Sequence, residues 1–170
     1  PVDRSGTYSL KWEEAGDALP MWVADMEFQT APQIRAALQQ RLDHGIFGYS
    51  IVPPAWNQAY VDWWHRRHNL DIDPESLVFS TGVVPAISSM VRKLTTANEN
   101  VLIQTPVYNI FFNSIINNGC RVLESPLEYD GSGHYSINWA DLESKLADPQ
   151  TTLMIPVSYT HLTLPTTERV

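Results

Sequence analysis

An internal disulfide is closed to this chain, because it holds a single cysteine, Cys120. A lone thiol fits a reducing compartment, and the expected location is cytoplasmic. Positive charge is scarce too: 11 Lys and Arg stand against 19 Asp and Glu, giving a net charge of −8 and a pI near 4.9. An acidic chain is a poor nucleic-acid binder unless its basic residues cluster. The only cluster is His65-Arg66-Arg67-His68, at the end of a predicted helix, where it serves the helix dipole. No apolar run is long enough to span a bilayer, and no signal-peptide pattern is visible. The chain starts at Pro1 without Met, so a trimmed N-terminus is expected. His44, His65, His68, His134 and His161 show no metal-ligand spacing with Cys or carboxylates, and no metal site is expected. There is no Ser/His/Asp arrangement, no GxGxxG, no Walker sequence, no internal repeat and no low-complexity linker.

What is present describes a globular protein. Of its 170 residues 44% are hydrophobic and 18% charged, enough for a domain with a real core. "TAPQIRAALQQRLDHG" reads as a punctuated helix. Thr30 is its expected cap, Pro32 suits the first turn, Ile34, Leu38, Arg41 and Leu42 share one face, and Gly45 ends it. "PPAWNQAYVDWWHRRH" follows the same logic, with Trp56, Tyr60, Trp63 and Trp64 on one broad face. An aromatic stripe at that spacing is usually core.

From residue 77 the pattern alternates. The expected order is strand 77–80, helix 84–94, strand 100–104, a helix from 107 to 117 closed by Gly119, and strand 120–124. A hairpin or long turn around Asp130-Gly131 follows, then helix 139–146 with Asn138 as cap and Asp141 three residues on, then the strand "TTLMI". Strands alternating with helices predict an α/β fold with a mostly parallel sheet. After Ile155 no amphipathic helix follows to cover the sheet, so the chain is expected to be part of a larger enzyme.

Ligands of such sheets sit at the carboxyl ends of the strands. Two turns fall there. Ser80-Thr81-Gly82-Val83-Val84 joins a strand to a helix whose Ile87, Met90, Val91 and Leu94 recur at helical spacing. The backbone donors of Val83 and Val84 are unpaired at that helix start, and the dipole favours an anion. A plain strand-to-helix connection reads equally well. The second turn, Thr105-Pro106-Val107-Tyr108, places Tyr108 where a helix begins. A phosphorylated aromatic cofactor needs an anion cradle and a flat surface to stack on, although Tyr108 also reads as a core aromatic. Asp25 and Glu27 sit close together, but sequence neighbours rarely share a catalytic site, and Asp25 reads more simply as a local turn or capping group.

"VDRSGTYSLKW", "MWVADMEFQTAP", "HGIFGYS", "VFSTGVVPAI" and "TPVYNIFF", in this order and spacing, resemble the N-terminal part of the MalY/PatB group. That group comprises cystathionine β-lyase-like members of the fold-type I, aspartate aminotransferase-like enzymes. The resemblance covers residues 2–155. It implies pyridoxal 5'-phosphate as cofactor. It implies that Gly82, Val83 and Val84 hold the cofactor phosphate, that Tyr108 stacks on the pyridine ring, and that Tyr49 reaches the phosphate from the other subunit of a homodimer. More weakly, Asp25 borders the substrate pocket. The implied chemistry is carbon–sulfur β-elimination from a small amino-acid substrate, with class I/II aminotransfer and a non-catalytic α/β fragment as alternatives.

The departures matter as much. The Asn-Pro segment expected after "TTLMI" is absent. So are the Asp that pairs with the pyridine nitrogen, the Schiff-base lysine and the Arg that takes the substrate carboxylate. Lys11, Lys93 and Lys145 are the only lysines, and none has a matching context. The expected division is an N-terminal helical segment over 1–70, an incomplete large domain over 71–155, and a non-native tail over 156–170. Val157 through Thr166 coincide with the translation of a transposon-end adapter used in sequencing libraries. Native sequence is therefore expected to end at Ile155, with no function for Tyr159 or His161.

Overall fold

The computed structural model describes residues 2–157. The chain forms two compact units, divided between Pro53 and Pro54. The tail from Ser158 on, including Tyr159 and His161, lies outside the described residues.

The first unit holds helix α1 (Leu10–Glu13) and helix α2 (Pro32–His44). Proline confines the residue before it to extended backbone. Ala31, with φ −49° and ψ 140°, therefore becomes the N-cap of α2, and no side chain caps the helix. This corrects the expectation for Thr30, which stands one residue too early. Gly45 ends α2 as expected, in the left-handed conformation with φ 72°. The apolar stripe of α2 is present but buries nothing: Ile34, Leu38 and Leu42 all stay more than half exposed. Arg41 does not extend that stripe, because its guanidinium reaches past the helix end to the carbonyl of Ile46.

The second unit opens with helix α3 (Pro54–His68). Asn57 of α3 donates to the carbonyl of Pro74 in the 3₁₀ turn Pro74–Ser76. The aromatic stripe of α3 is not core, contrary to expectation: the helix has no buried residue. Its rings meet one another instead, Trp56 and Tyr60 tilted with centroids 4.8 Å apart and Trp63 edge-on to Trp64 at 5.0 Å. Trp56 also meets the edge of Phe79 at 5.4 Å.

Strand 77–80 does not form. Its backbone pairs with no other strand among the described residues, and Val78 is 88% exposed. A strand is defined by its neighbour's hydrogen bonds, so strand-favouring residues alone leave an extended segment. Helix α4 (Val83–Leu94) follows. It buries Ile87 and Val91 but leaves Met90 and Leu94 exposed, so the apolar stripe is narrower than its spacing implied.

The rest follows the predicted alternation. Strand β1 (Asn100–Thr105) leads to α5 (Ile110–Ile116) and β2 (Arg121–Pro126). The two-residue strands β3 (Glu128–Tyr129) and β4 (Tyr135–Ser136) make an antiparallel hairpin, and α6 (Trp139–Leu146) leads to β5 (Thr151–Ile155). The main sheet has the order β2-β1-β5, parallel throughout. Helix α5 starts at Ile110 rather than 107. It closes with the N–H of Gly119 on the carbonyl of Ile116 and the N–H of Cys120 on that of Ile115, a double cap that needs the left-handed φ of 77° at Gly119. Asn138 caps α6 as expected, its side chain accepting from the Asp141 N–H at 3.0 Å.

β1 is the central strand, and its four inner residues are buried on both faces. Val101 and Ile103 pack with Ile87 and Val91 of α4 and with Phe111 and Ile115 of α5. Alternation turns Leu102 and Gln104 to the opposite face. There Ser125 of β2, the register partner of Gln104, donates to Asp141 of α6 at 2.7 Å. Lys145 donates to the same carboxylate, and these bonds, the lysine's first, hold the Asp141 pKa below its usual range. Val157, the second residue of the expected tail, is partly buried against the α4/α5 side of the core.

Candidate functional site

Helix α4 runs from Val83 down to Leu94, and the chain then returns through β1, whose carboxyl end is Thr105. The start of α4 therefore lies at the same edge of the sheet as the end of β1. Helices α4 and α5 share one face, because Ile87 and Val91 join Phe111 and Ile115 in one cluster. The topology thus brings Gly82-Val83-Val84 and Tyr108 to one edge and one face of a parallel sheet. This is the carboxyl-end crevice where such sheets bind ligands.

Gly82 is the N-cap of α4, in extended backbone (φ 168°, ψ 171°), and no side chain satisfies the first-turn donors. Ser80 points its hydroxyl at the carbonyl of Gly82, 3.1 Å away, so it braces the turn instead of capping the helix. The next residue, Pro85, has no N–H, so the donors of the first turn are those of Val83 and Val84, at the positive end of the dipole. Val83 and Val84 are both exposed. The donor set fits an anion that approaches from solvent, such as a phosphate monoester.

Tyr108 lies two residues ahead of α5 and is 63% exposed, which corrects the core reading. Its ring meets Phe111 edge-on, with centroids 6.0 Å apart and planes at 89°. An edge contact with one neighbour fixes the ring's direction and leaves a face open to stack on. Anion donors and an open aromatic face on the same sheet edge suit a phosphorylated aromatic cofactor.

Asp25 and Tyr49 belong to the first unit. Asp25 is neither a turn residue nor a cap, as it receives the guanidinium of Arg4. Lys11, only 8% exposed, donates to the carbonyl of Asp25 at 2.8 Å and to Glu27 at 3.0 Å. Trp12 donates its indole N–H to Glu27 at 3.0 Å, and the N–H of Val2 donates to the Glu27 carbonyl at 2.7 Å. The two acidic neighbours thus share one cluster, clasped by the N-terminal segment. The Arg4 guanidinium, above all, keeps the Asp25 carboxyl below its usual pKa, and the ammonium of Lys11 followed by the Trp12 indole does the same for Glu27. Sequence reasoning missed Arg4, Lys11 and Trp12, whose partners stand 14 to 21 residues away along the chain. Tyr49 is fully exposed on the loop after α2. Among the described residues no group of three or more His, Cys, Asp and Glu is arranged to hold a metal ion, and no helix is long and apolar enough to cross a membrane.

Residues 20–159 match the model of the family "Aminotransferase class I and II". The chain is 45% identical over 160 residues to cystathionine beta-lyase PatB of Bacillus subtilis, covering 90% of this chain and 41% of that protein. It is 34% identical over 165 residues to the protein MalY of Escherichia coli, covering 91% and 41%. Among solved structures it is similar to the PLP-bound C-S lyase from Staphylococcus hominis, with TM-score 0.83, 29% identity, and 94% and 42% of the two chains covered. It is also similar to cystalysin from Treponema denticola, whose crystal contains a pyridoxal 5'-phosphate cofactor, with TM-score 0.81, 32% identity, and 90% and 41% covered. The chain spans about 41% of the length of the curated relatives it matches.

Proposed function

The chain belongs to the aminotransferase class I and II family, and on that premise we propose that the whole protein is a pyridoxal-phosphate-dependent carbon–sulfur β-lyase. Its substrates are cystathionine and other cysteine S-conjugates. One observation carries the reading: a chain 45% identical to a cystathionine β-lyase places anion donors and an open tyrosine face on one edge of its parallel sheet.

In this reading the N–H groups of Val83 and Val84, with the turn at Gly82, hold the cofactor phosphate. They need no reorganisation to do so, because the helix start presents them already unpaired. Tyr108 lies against the ring and restricts its tilt. Tyr49 of the partner subunit donates its hydroxyl to the phosphate, so the functional protein is a homodimer. Asp25 borders the substrate side, held in place by Arg4 and Lys11. Bound there, pyridoxal phosphate supplies the electron sink for the charge left when the α-proton of an amino acid is removed. The net reaction of the whole protein would be the loss of a thiol from the β-carbon of the amino acid and, with water, the formation of pyruvate and ammonia. The group that carries the α-proton is assigned to the part of the protein beyond this chain.

Aminotransfer is the competing reading, favoured by the similarity to valine–pyruvate aminotransferase of Mycobacterium tuberculosis, 28% identical over 99 residues. The full-length protein decides between them. Given cystathionine and cofactor, it is expected to release free thiol and pyruvate in equal amounts. Amino-group transfer to an added keto acid, with no thiol released, would overturn the lyase reading.

A further inference from the structure

We propose that Arg41 is a positioning residue for Tyr49, a guanidinium brace between α2 and the loop that leaves it. The inference rests on the reading of Tyr49 as a phosphate ligand. Helix α2 ends at His44, and Gly45 turns the chain, its N–H bonded to the Leu42 carbonyl at 3.0 Å. Beyond that turn, residues 46–50 take part in a single hydrogen bond among the described residues. In it, Nη2 of Arg41 donates to the carbonyl of Ile46 at 2.9 Å. Nη1 of the same group lies 3.1 Å from Nδ1 of His44. A guanidinium has donors only, so His44 accepts through an unprotonated nitrogen. The planar fork lets one side chain hold the last residue of the helix and the carbonyl two residues past it together.

Ile46 and Phe47 are 70% and 66% exposed, and the Tyr49 ring is fully exposed. Packing does not fix the path of the loop within its unit. Yet a ligand contact needs its hydroxyl held within roughly 0.5 Å of the productive place. Among the described residues, the bond from Arg41 is what ties the Ile46 carbonyl to the helix end.

The test uses the full-length enzyme and a double-mutant cycle of Arg41→Met with Tyr49→Phe. Two quantities are read: the dissociation constant of pyridoxal phosphate from the apoenzyme, by fluorescence titration, and amide hydrogen exchange over residues 45–50. Arg41→Met is expected to weaken cofactor binding about three- to tenfold and to speed exchange in the loop, with strand β1 unchanged. In the Tyr49→Phe background it is expected to add nothing, since a residue acting only through Tyr49 is silent once that hydroxyl is gone. Arg41→Gln keeps an N–H donor without the charge and is expected to restore part of the loop's protection. If Arg41→Met does not fold, the cycle is run with Arg41→Gln. Additive losses, or a constant left unchanged by Arg41→Met while Tyr49→Phe raises it, would overturn the brace. An unchanged constant in Tyr49→Phe would instead overturn the reading of Tyr49 as a ligand, and the brace with it.

Discussion

Tyr108→Ala in the full-length enzyme removes the surface on which the cofactor ring is proposed to rest. The loss can be worked from the site. Tyr108 is 63% exposed, so a stacked ring covers one face that is open in this structure. An aromatic side chain buries roughly 150–250 Å² in all, and one face is about a third of that, or about 60 Å². At about 25 cal/mol per Å², losing its burial costs about 1.5 kcal/mol. The stacking geometry adds about 0.5–1.5 kcal/mol. The sum, about 2–3 kcal/mol, is roughly a 30- to 150-fold rise in the cofactor's dissociation constant. Tyr108→Phe keeps the ring and is expected to stay close to wild type. Equilibrium dialysis of apoenzyme against pyridoxal phosphate measures both variants. The edge contact with Phe111 is also lost in the alanine variant. Thermal unfolding of the apoenzyme therefore serves as the control for a folding defect. A change below about threefold in Tyr108→Ala, with the apoenzyme intact, would refute the stacking assignment. An equal loss in Tyr108→Phe would refute it too, by pointing to the hydroxyl instead.

Further outcomes are open to measurement. Asn138→Ala removes the side-chain acceptor for the Asp141 N–H, and denaturant unfolding of the full-length protein is expected to show a loss of about 1 kcal/mol, mostly restored in Asn138→Ser, whereas Asn138→Asp would set a carboxylate where the Asn138 amide donates to Glu128 at 2.8 Å. The folded-state pKa values of Asp25 and Glu27 lie below their ordinary 3.8 and 4.5, so the stability their clasp contributes is present above those values and is lost as pH falls through the lowered ones. Amide protection over residues 2–28, taken relative to the intrinsic exchange rate at each pH, is expected to fall below about pH 4.5, and Lys11→Met to show the same loss of protection at neutral pH. The 170-residue chain on its own is expected to give no thiol from cystathionine with free cofactor present; turnover above a no-protein control would contradict this. For the tail, a genomic read that continues into an Asn-Pro segment and a later lysine supports an adapter origin, whereas one that continues into "VSYTHLTLPT" refutes it.

Local signals settled a good part of this protein in advance. Gly45 and Gly119 end helices because only left-handed backbone closes those caps, and glycine adopts it at no steric cost. Asn138 caps α6, and the turn at Asp130-Gly131 joins a hairpin, for reasons that span a few residues. The alternation after residue 77 carried the parallel sheet, since each strand and helix advertises its own period. The motif order carried the family. What the sequence could not supply were partners. Strand 77–80 has the right residues and, among the described residues, no neighbour to ladder with. The aromatics of α3 have helical spacing, and whether a stripe is buried depends on what arrives opposite it. Asp25 looked like a local cap because Arg4 and Lys11, which engage it, stand 21 and 14 residues away. The exposure of Tyr108 followed from α5 beginning at Ile110, which left the ring on the approach loop at the sheet edge. Short-range conformational preference is written residue by residue, whereas burial, ladder pairing and charge pairing belong to two segments at once and exist only when the chain has brought them together.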